Sequence, residues 1–170
     1  MKRVLTLAAV AALSVGMMGT VVASDDDSER RDVKAKLGGF AEVPSVSTIG
    51  SGKLRLTITP STINYALTYE GLEGGAIVGA HLHLGQAGVN GGVIANLCGG
   101  TETPCPATAA GGMSGTIVPA EILGPAAQGI APGEFAEVLR AIRAGAVYAN
   151  VHTTTYPGGE IRGQLKGGKS

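Results

Sequence analysis

Between Val33 and Leu165 the chain runs in short stretches of alternating hydrophobic and polar residues, punctuated by Gly and Pro. Period-two alternation marks a strand with one buried face. It predicts strands at Val33–Phe40, Gly52–Thr59, Ile63–Tyr69, Ile77–Leu84, Val93–Leu97, Met113–Val118, Val147–Thr153 and Ile161–Leu165. In KLRLTIT, Leu54, Leu56 and Ile58 face one side and Lys53, Arg55, Thr57 and Thr59 the other, a strand with one wet face. TPSTIN reads as a hairpin loop, with Pro60 and Ser61 as turn residues. One segment changes period. In PGEFAEVLRAIRAGA, Phe135, Val138, Leu139 and Ile142 fall at i, i+3, i+4 and i+7 of a helix, with Pro132 before it and Gly145 after it. This helix is expected to pack as a lid on one end of the strands. The pattern predicts an all-β fold: an antiparallel β-sandwich or Greek-key barrel of about eight strands with one short helix.

Composition agrees. The 170 residues are one domain by length and include 28 Gly, no Trp and only 4 Tyr and 2 Phe. The N-terminus stands apart. Lys2 and Arg3 precede an apolar run from Val4 to Val15, and small residues follow to Ala23. This reads as a secretory signal peptide over residues 1–23. The run is too short, and too broken by Ser14 and Gly16, to anchor the chain in a membrane. Residues 24–32, SDDDSERRD, read as a disordered polar tether, and residues 33–167 as the domain. Removal of Lys2 and Arg3 leaves 11 basic against 13 acidic residues, a formal charge of −2. Lys and Arg are scattered with no interleaved aromatics, so nucleic acid is not an expected partner. The expected location is secreted or periplasmic. Disulfides persist there, and the two cysteines, Cys98 and Cys105, would close a short loop rich in Gly, Thr and Pro; the alternative, a cysteine pair binding metal, is disfavoured by the loose spacing and the lack of a histidine nearby in sequence.

The candidate chemistry lies in the three histidines. In GAHLHLG, His81 and His83 share a strand face opposite Ala80, Leu82 and Leu84. In AVYANVHT, His152 shares a face with Tyr148 and Asn150, opposite Val147, Ala149 and Val151. The apolar sets belong to the core, so all three imidazoles project from the outer face. If the two strands pair, the rings form a triangle with sides of about 5–7 Å, close enough to lean onto one ion. Neutral imidazole suits copper or zinc, and three ligands leave a position open for water or substrate. The alternative is three polar residues on a wet surface. Gly-rich loops follow both strands, GQAGVNGG and TTTYPGG, and could cover this face. Tyr148 is a candidate neighbour of the ion or a plain surface residue. Glu160 and Arg162 could supply a supporting carboxylate and a steering charge, or simply pair on the surface. The placement of Glu42, in FAEVP, does not follow from the pattern.

These segments carry a resemblance. FAEVP (Phe40–Pro44), AHLHLGQAGVNGGVIANL (Ala80–Leu97) and AGAVYANVHTTTYPGGEIRGQL (Ala144–Leu165) resemble the CHRD domain, the module named after chordin, over about Val33 to Lys166. The resemblance implies an all-β extracytoplasmic domain and little about activity. A second, more local likeness joins HLHLG, NVHT and the Gly-rich Arg segment to the copper ligands of copper/zinc superoxide dismutases. It implies His81, His83 and His152 as ligands on an outer barrel face, with Arg162 as the cation near the open position. The chain departs from that family. It has no fourth histidine to bridge a second metal and no zinc loop, so a two-metal site is excluded.

The expectation is an exported protein that holds one transition-metal ion, copper first and zinc second, at His81, His83 and His152. Its role would be copper binding or redox chemistry at the cell envelope. Two other readings stand beside it: a metal-free extracellular binding or adhesion module with a protein partner, and a superoxide dismutase-like copper enzyme. The sequence does not decide whether the protein is an enzyme.

Overall fold

The structure is a computed structural model and describes residues 31–100 and 103–167. The signal peptide, its cleavage site and the tether over residues 24–30 lie outside the described residues. Among the described residues, besides three short 3-10 turns, there are nine strands and one α-helix: β1 (Arg31–Gly38), β2 (Ser51–Ile58), β3 (Ile63–Glu70), β4 (Ile77–Leu84), β5 (Val93–Cys98), β6 (Gly111–Ile117), α1 (Phe135–Arg143), β7 (Val147–Thr153), β8 (Ile161–Gln164) and β9 (Lys166–Gly167). All the predicted strands and the helix are present. The ninth strand is the two-residue β9, which pairs back onto β1.

Arg31 and Asp32 depart from the expected tether. They are the first residues of β1, because β2 runs on to Ile58 and offers them partners: Arg31 pairs with Ile58 and Asp32 with Thr57. The Thr57 hydroxyl also donates to the Asp32 carboxylate at 3.1 Å. A complete ladder outweighs the polarity of the two side chains.

The strands form one sheet in the order β5-β4-β7-β8-β1-β2-β3-β6, antiparallel at every pairing. The two end strands, β5 and β6, come into contact. The Tyr65 hydroxyl donates to the Leu97 carbonyl at 2.7 Å, linking β3 to β5 at this seam. Of the two expected architectures, the nearly closed barrel is the one formed. β2 and β3 bury every second residue and leave those between exposed or partly exposed, so their outer faces are wet as the sequence predicts. Leu54, Leu56, Leu67, Ala80, Leu82, Ile94, Val147, Ala149, Val151 and Ile161 belong to one buried cluster. α1 adds Phe135, Val138, Leu139 and Ile142 to it.

β7 breaks the alternation. Six of its seven residues are buried and the other, His152, is partly so. Its outer face is covered, and this cover makes the site described below.

Cys98 ends β5 and is disulfide-bonded to Cys105. Of the loop's described residues, Cys105, itself partly buried, packs against the core cluster. In the chain-entropy account a loop this short contributes about 2–3 kcal/mol. Cys98→Ser/Cys105→Ser is therefore expected to lose at least that much in denaturant unfolding, and an unchanged midpoint would refute the role.

Candidate metal centre

The site grows from the pairing of β4 with β7. His81 lies opposite Asn150, His83 opposite Tyr148, and Gly79 opposite His152. Side chains alternate across a strand, so Ala80, Leu82, Ala149 and Val151 fill the barrel while the histidines, Tyr148 and Asn150 stand outside it. Gly79 brings His81 and His152 together. A Cβ built on Gly79 would lie 2.9 Å from His81 Cε1 and 3.0 Å from its Nε2. The missing side chain opposite His152 is the space that the His81 ring occupies.

The three rings form one cluster. Centroids are 4.8 Å apart for His81 and His152, 5.5 Å for His81 and His83, and 6.1 Å for His83 and His152. One nitrogen from each ring lies within 4.8 Å of the others. Hydrogen bonds assign the nitrogens. A carbonyl only accepts, so His83 Nδ1–H donates to Gly91 O at 3.0 Å and His152 Nδ1–H donates to Pro157 O at 2.9 Å. Neutral His83 and His152 then carry their lone pairs on Nε2. His152 Nε2 accepts from His81 Nδ1 at 3.0 Å. His83 Nε2 is buried and has no partner. Three nitrogens at about 2.0–2.1 Å from one ion stand about 3.3–3.6 Å apart, which lies between the two separations observed here. The donor set and the orphaned Nε2 fit a transition metal.

Loops close over this face. The segment Gln86–Gly92 and the segment Glu42–Pro44 are joined by Asn90 Nδ2 donating to Val43 O at 3.0 Å. Arg162 is 2 % exposed. Its guanidinium lies 3.4 Å from the Tyr148 ring centroid and donates to Asn90 Oδ1 at 2.9 Å, Gln86 O at 3.3 Å and Val89 O. Tyr148 stacks on His83, with centroids 4.8 Å apart and planes 6° apart, and its hydroxyl accepts from Gly91 N at 3.2 Å. Tyr148 is thus a buried neighbour of a candidate ligand rather than a solvent-face residue. Arg162 is not a free cation beside an open coordination position, because its donors hold the loop.

Glu160 and Arg162 do not form an exposed pair. Glu160 is fully buried. Its carboxylate accepts from Thr48 Oγ1 at 2.9 Å, Glu73 N at 2.7 Å, Gly74 N at 3.0 Å and Thr153 Oγ1 at 2.9 Å. It ties the segments around Thr48 and Glu73 to the end of β7. Burial with four donors is a structural role, and no bond joins it to a histidine. Any service to the site is indirect: Glu160 anchors the start of β8, and the turn before it presents Pro157 O to His152.

The family model of the CHRD domain matches residues 33–165. The chain belongs to the CHRD family. No curated protein and no solved structure matches it. CHRD is an extracellular-type module, and the Cys98–Cys105 disulfide accords with that. Among the described residues no helix is long and apolar enough to cross a membrane.

Within this CHRD domain, burial shifts the site's ionisable groups toward their neutral forms. His81 is pushed down from 6.5 to about 4, first by burial and then by His152 and His83 beside it. His83 and His152 are also lowered, with burial the main cause; the Gly91 and Pro157 carbonyls oppose it. Glu42, 5 % exposed and with Oε1 unpartnered, is raised to about 7 by burial, which the nearby Arg162 charge only partly offsets. The pattern could not locate Glu42. Gly79 was also missed, although an isolated glycine inside a strand signals a close approach. The carbonyls of Gly91 and Pro157 left no signal, since any residue carries one.

These shifts act on stability with opposite signs. The lowered His81 contributes stability that is complete above 6.5 and lost as pH falls toward 4. The raised Glu42 binds its proton more tightly when folded, so its contribution is complete below 4.5 and lost as pH rises through 7. Glu42→Gln removes that second loss. It is expected to stabilise the protein at pH 8 relative to pH 4 by about 1–2 kcal/mol, after discounting for partial solvent screening. Urea unfolding at both pH values checks it; an equal effect at both would show that Glu42 ionises freely.

Proposed function

We propose that this CHRD domain is exported and binds one transition-metal ion, copper in preference to zinc, through His81 Nδ1, His83 Nε2 and His152 Nε2. The observation that carries the reading is the buried, unpartnered Nε2 of His83, on one of three imidazoles that each bring a nitrogen within 4.8 Å of the others. A buried polar atom without a partner is costly unless something absent from the protein chain satisfies it. Three neutral nitrogens with no thiolate or carboxylate among them suit copper and zinc, and copper binds such sites more tightly. When bound, copper would supply Lewis-acid or one-electron chemistry. The chain's own contribution is to orient the nitrogens: Gly91 O and Pro157 O hold two rings by the far nitrogen, as carbonyls commonly do behind ligating histidines. His81 meets the ion with the nitrogen that now bonds His152, so its proton must move to Nε2 or leave.

The superoxide dismutase-like reading draws no support from Arg162, whose donors are committed to the loop. Export draws support from the disulfide and from the N-terminal pattern, with the mature chain starting at Ser24. The intact mass of exported protein tests that start, and retention of residues 1–23 would overturn it.

The metal reading is tested on protein purified without a histidine tag. One equivalent of copper is expected by metal analysis, with zinc bound more weakly. His81→Ala, His83→Ala and His152→Ala should each lower copper affinity at least 100-fold, because three ligands leave no redundancy. The fold should survive, since the three side chains stand outside the barrel core. His83→Ala should cost the most stability, through its lost stacking on Tyr148. Parent protein without copper, or variants that bind it as tightly, would leave the metal-free binding module in its place.

A further inference from the structure

Tyr148 stands on β7 between His83 on β4 and Arg162 on β8, and its ring contacts both. Around this ring the Gln86–Gly92 loop is fastened at several points. Arg162 donates to Gln86 O, Val89 O and Asn90 Oδ1, and Gly91 N donates to the Tyr148 hydroxyl. The loop has no helix or strand of its own before Val93 and includes Gly88, Gly91 and Gly92. Its backbone is therefore placed by these side chains together with Gly92 N donating to Gln128 Oε1 at 2.7 Å and Leu84 N donating to Gly92 O at 2.9 Å. A glycine is required at 91, because a Cβ there would collide with the Leu84 carbonyl. The point of greatest consequence is the next atom along. Gly91 O accepts the Nδ1 proton of His83, and this bond leaves the His83 lone pair on Nε2.

We propose that Tyr148 and Arg162 are positioning residues for the metal centre: they fix the Gly91 carbonyl and so decide which ring nitrogen His83 turns to the ion. The inference rests on the metal reading above for its purpose, but its geometry stands on the metal-free protein. Tyr148 does so twice, by stacking on the imidazole and by accepting from the N–H of Gly91, the residue whose carbonyl, in the next peptide unit, the imidazole reaches. Arg162 does so through the loop, using a planar fork of donors and a cation over an aromatic face, which lysine cannot reproduce.

The test reads the His83 tautomer in metal-free protein by long-range proton–nitrogen NMR of the imidazoles, and copper affinity by chelator competition. The parent is expected to show Nδ1–H at His83. Arg162→Met and Tyr148→Leu should move His83 toward the Nε2–H form and weaken copper binding about 10–100-fold, the usual cost of losing support behind a ligand. Tyr148→Phe keeps the ring and removes only the hydroxyl, so it should shift the tautomer partially and weaken binding about 10-fold. It carries the test if the other two variants do not fold. Arg162→Lys should fail to restore the parent tautomer. A parent and Tyr148→Phe pair with the same Nδ1–H tautomer and copper affinities within threefold would overturn the inference. Tautomer shifts as expected in a parent that binds no copper would uphold the positioning role and overturn the metal reading instead.

Discussion

The register between β4 and β7 is the constraint from which the site follows. Alternation leaves each strand one choice, and the apolar residues make it: Ala80, Leu82, Ala149 and Val151 are buried inside the barrel. Every intervening side chain must then lie outside, and the pairing sets His81 beside Asn150 and His83 beside Tyr148. A slip by one residue would send the imidazoles into the core and expose the leucines. Core packing therefore positions the histidines without any of them contributing to the core. β8 extends the same face: Arg162 lies opposite Asn150 and Gln164 opposite Tyr148.

Covering that face has an electrostatic cost that the protein meets unevenly. Glu160 shows how a buried charge is normally handled, with four donors on one carboxylate. Arg162 likewise spends its donors on a side-chain oxygen and two carbonyls. Among the described residues, five buried side-chain atoms have no partner, and four of them belong to Glu42, His83, Asn150 and Gln164. Three of these residues, His83, Asn150 and Gln164, lie on adjacent strands of the covered face, and Glu42 is in the segment that covers it. The elements that build only the barrel leave one such atom, the Tyr69 hydroxyl. Departures from polar satisfaction concentrated in one region mark a place where stability has been given up for something else.

How much of this was legible in the sequence depends on whether a feature is periodic. The strands and helix were readable because burial repeats every two or 3.6 residues, and LRLTI or FAEVLRAI displays that repeat directly. The shared face of the three histidines was readable for the same reason. The cover was not. That β7 is buried on both faces depends on where the 42–44 and 86–92 segments fold back, and neither has a repeat. Tyr148, Glu160 and Arg162 therefore looked like surface residues, and Arg162 like a free cation. Their true partners are mostly backbone atoms of distant loops, which residue identity does not encode. The boundary at Arg31 failed differently: polar RRD resembles a tether, but strand pairing with Thr57 and Ile58 depends on backbone, not polarity.

The histidine cluster also bears on how a bound metal would relate to the fold. Small zinc modules fold around their ion because they have little else to bury. Here the barrel is complete on the opposite side of β4 and β7, and two of the three rings satisfy each other, His81 Nδ1 against His152 Nε2 at 3.0 Å. Of the buried ring nitrogens, only His83 Nε2 is left without a partner. On the metal reading proposed above, this internal hydrogen bond occupies the place where two ligand atoms would meet an ion. Entry of a metal would exchange that bond for coordination and displace one proton, while the carbonyls of Gly91 and Pro157 keep the other two rings where they are. Such a site would gain or lose an ion without unfolding. On that reading the ion would serve a purpose other than stapling the fold.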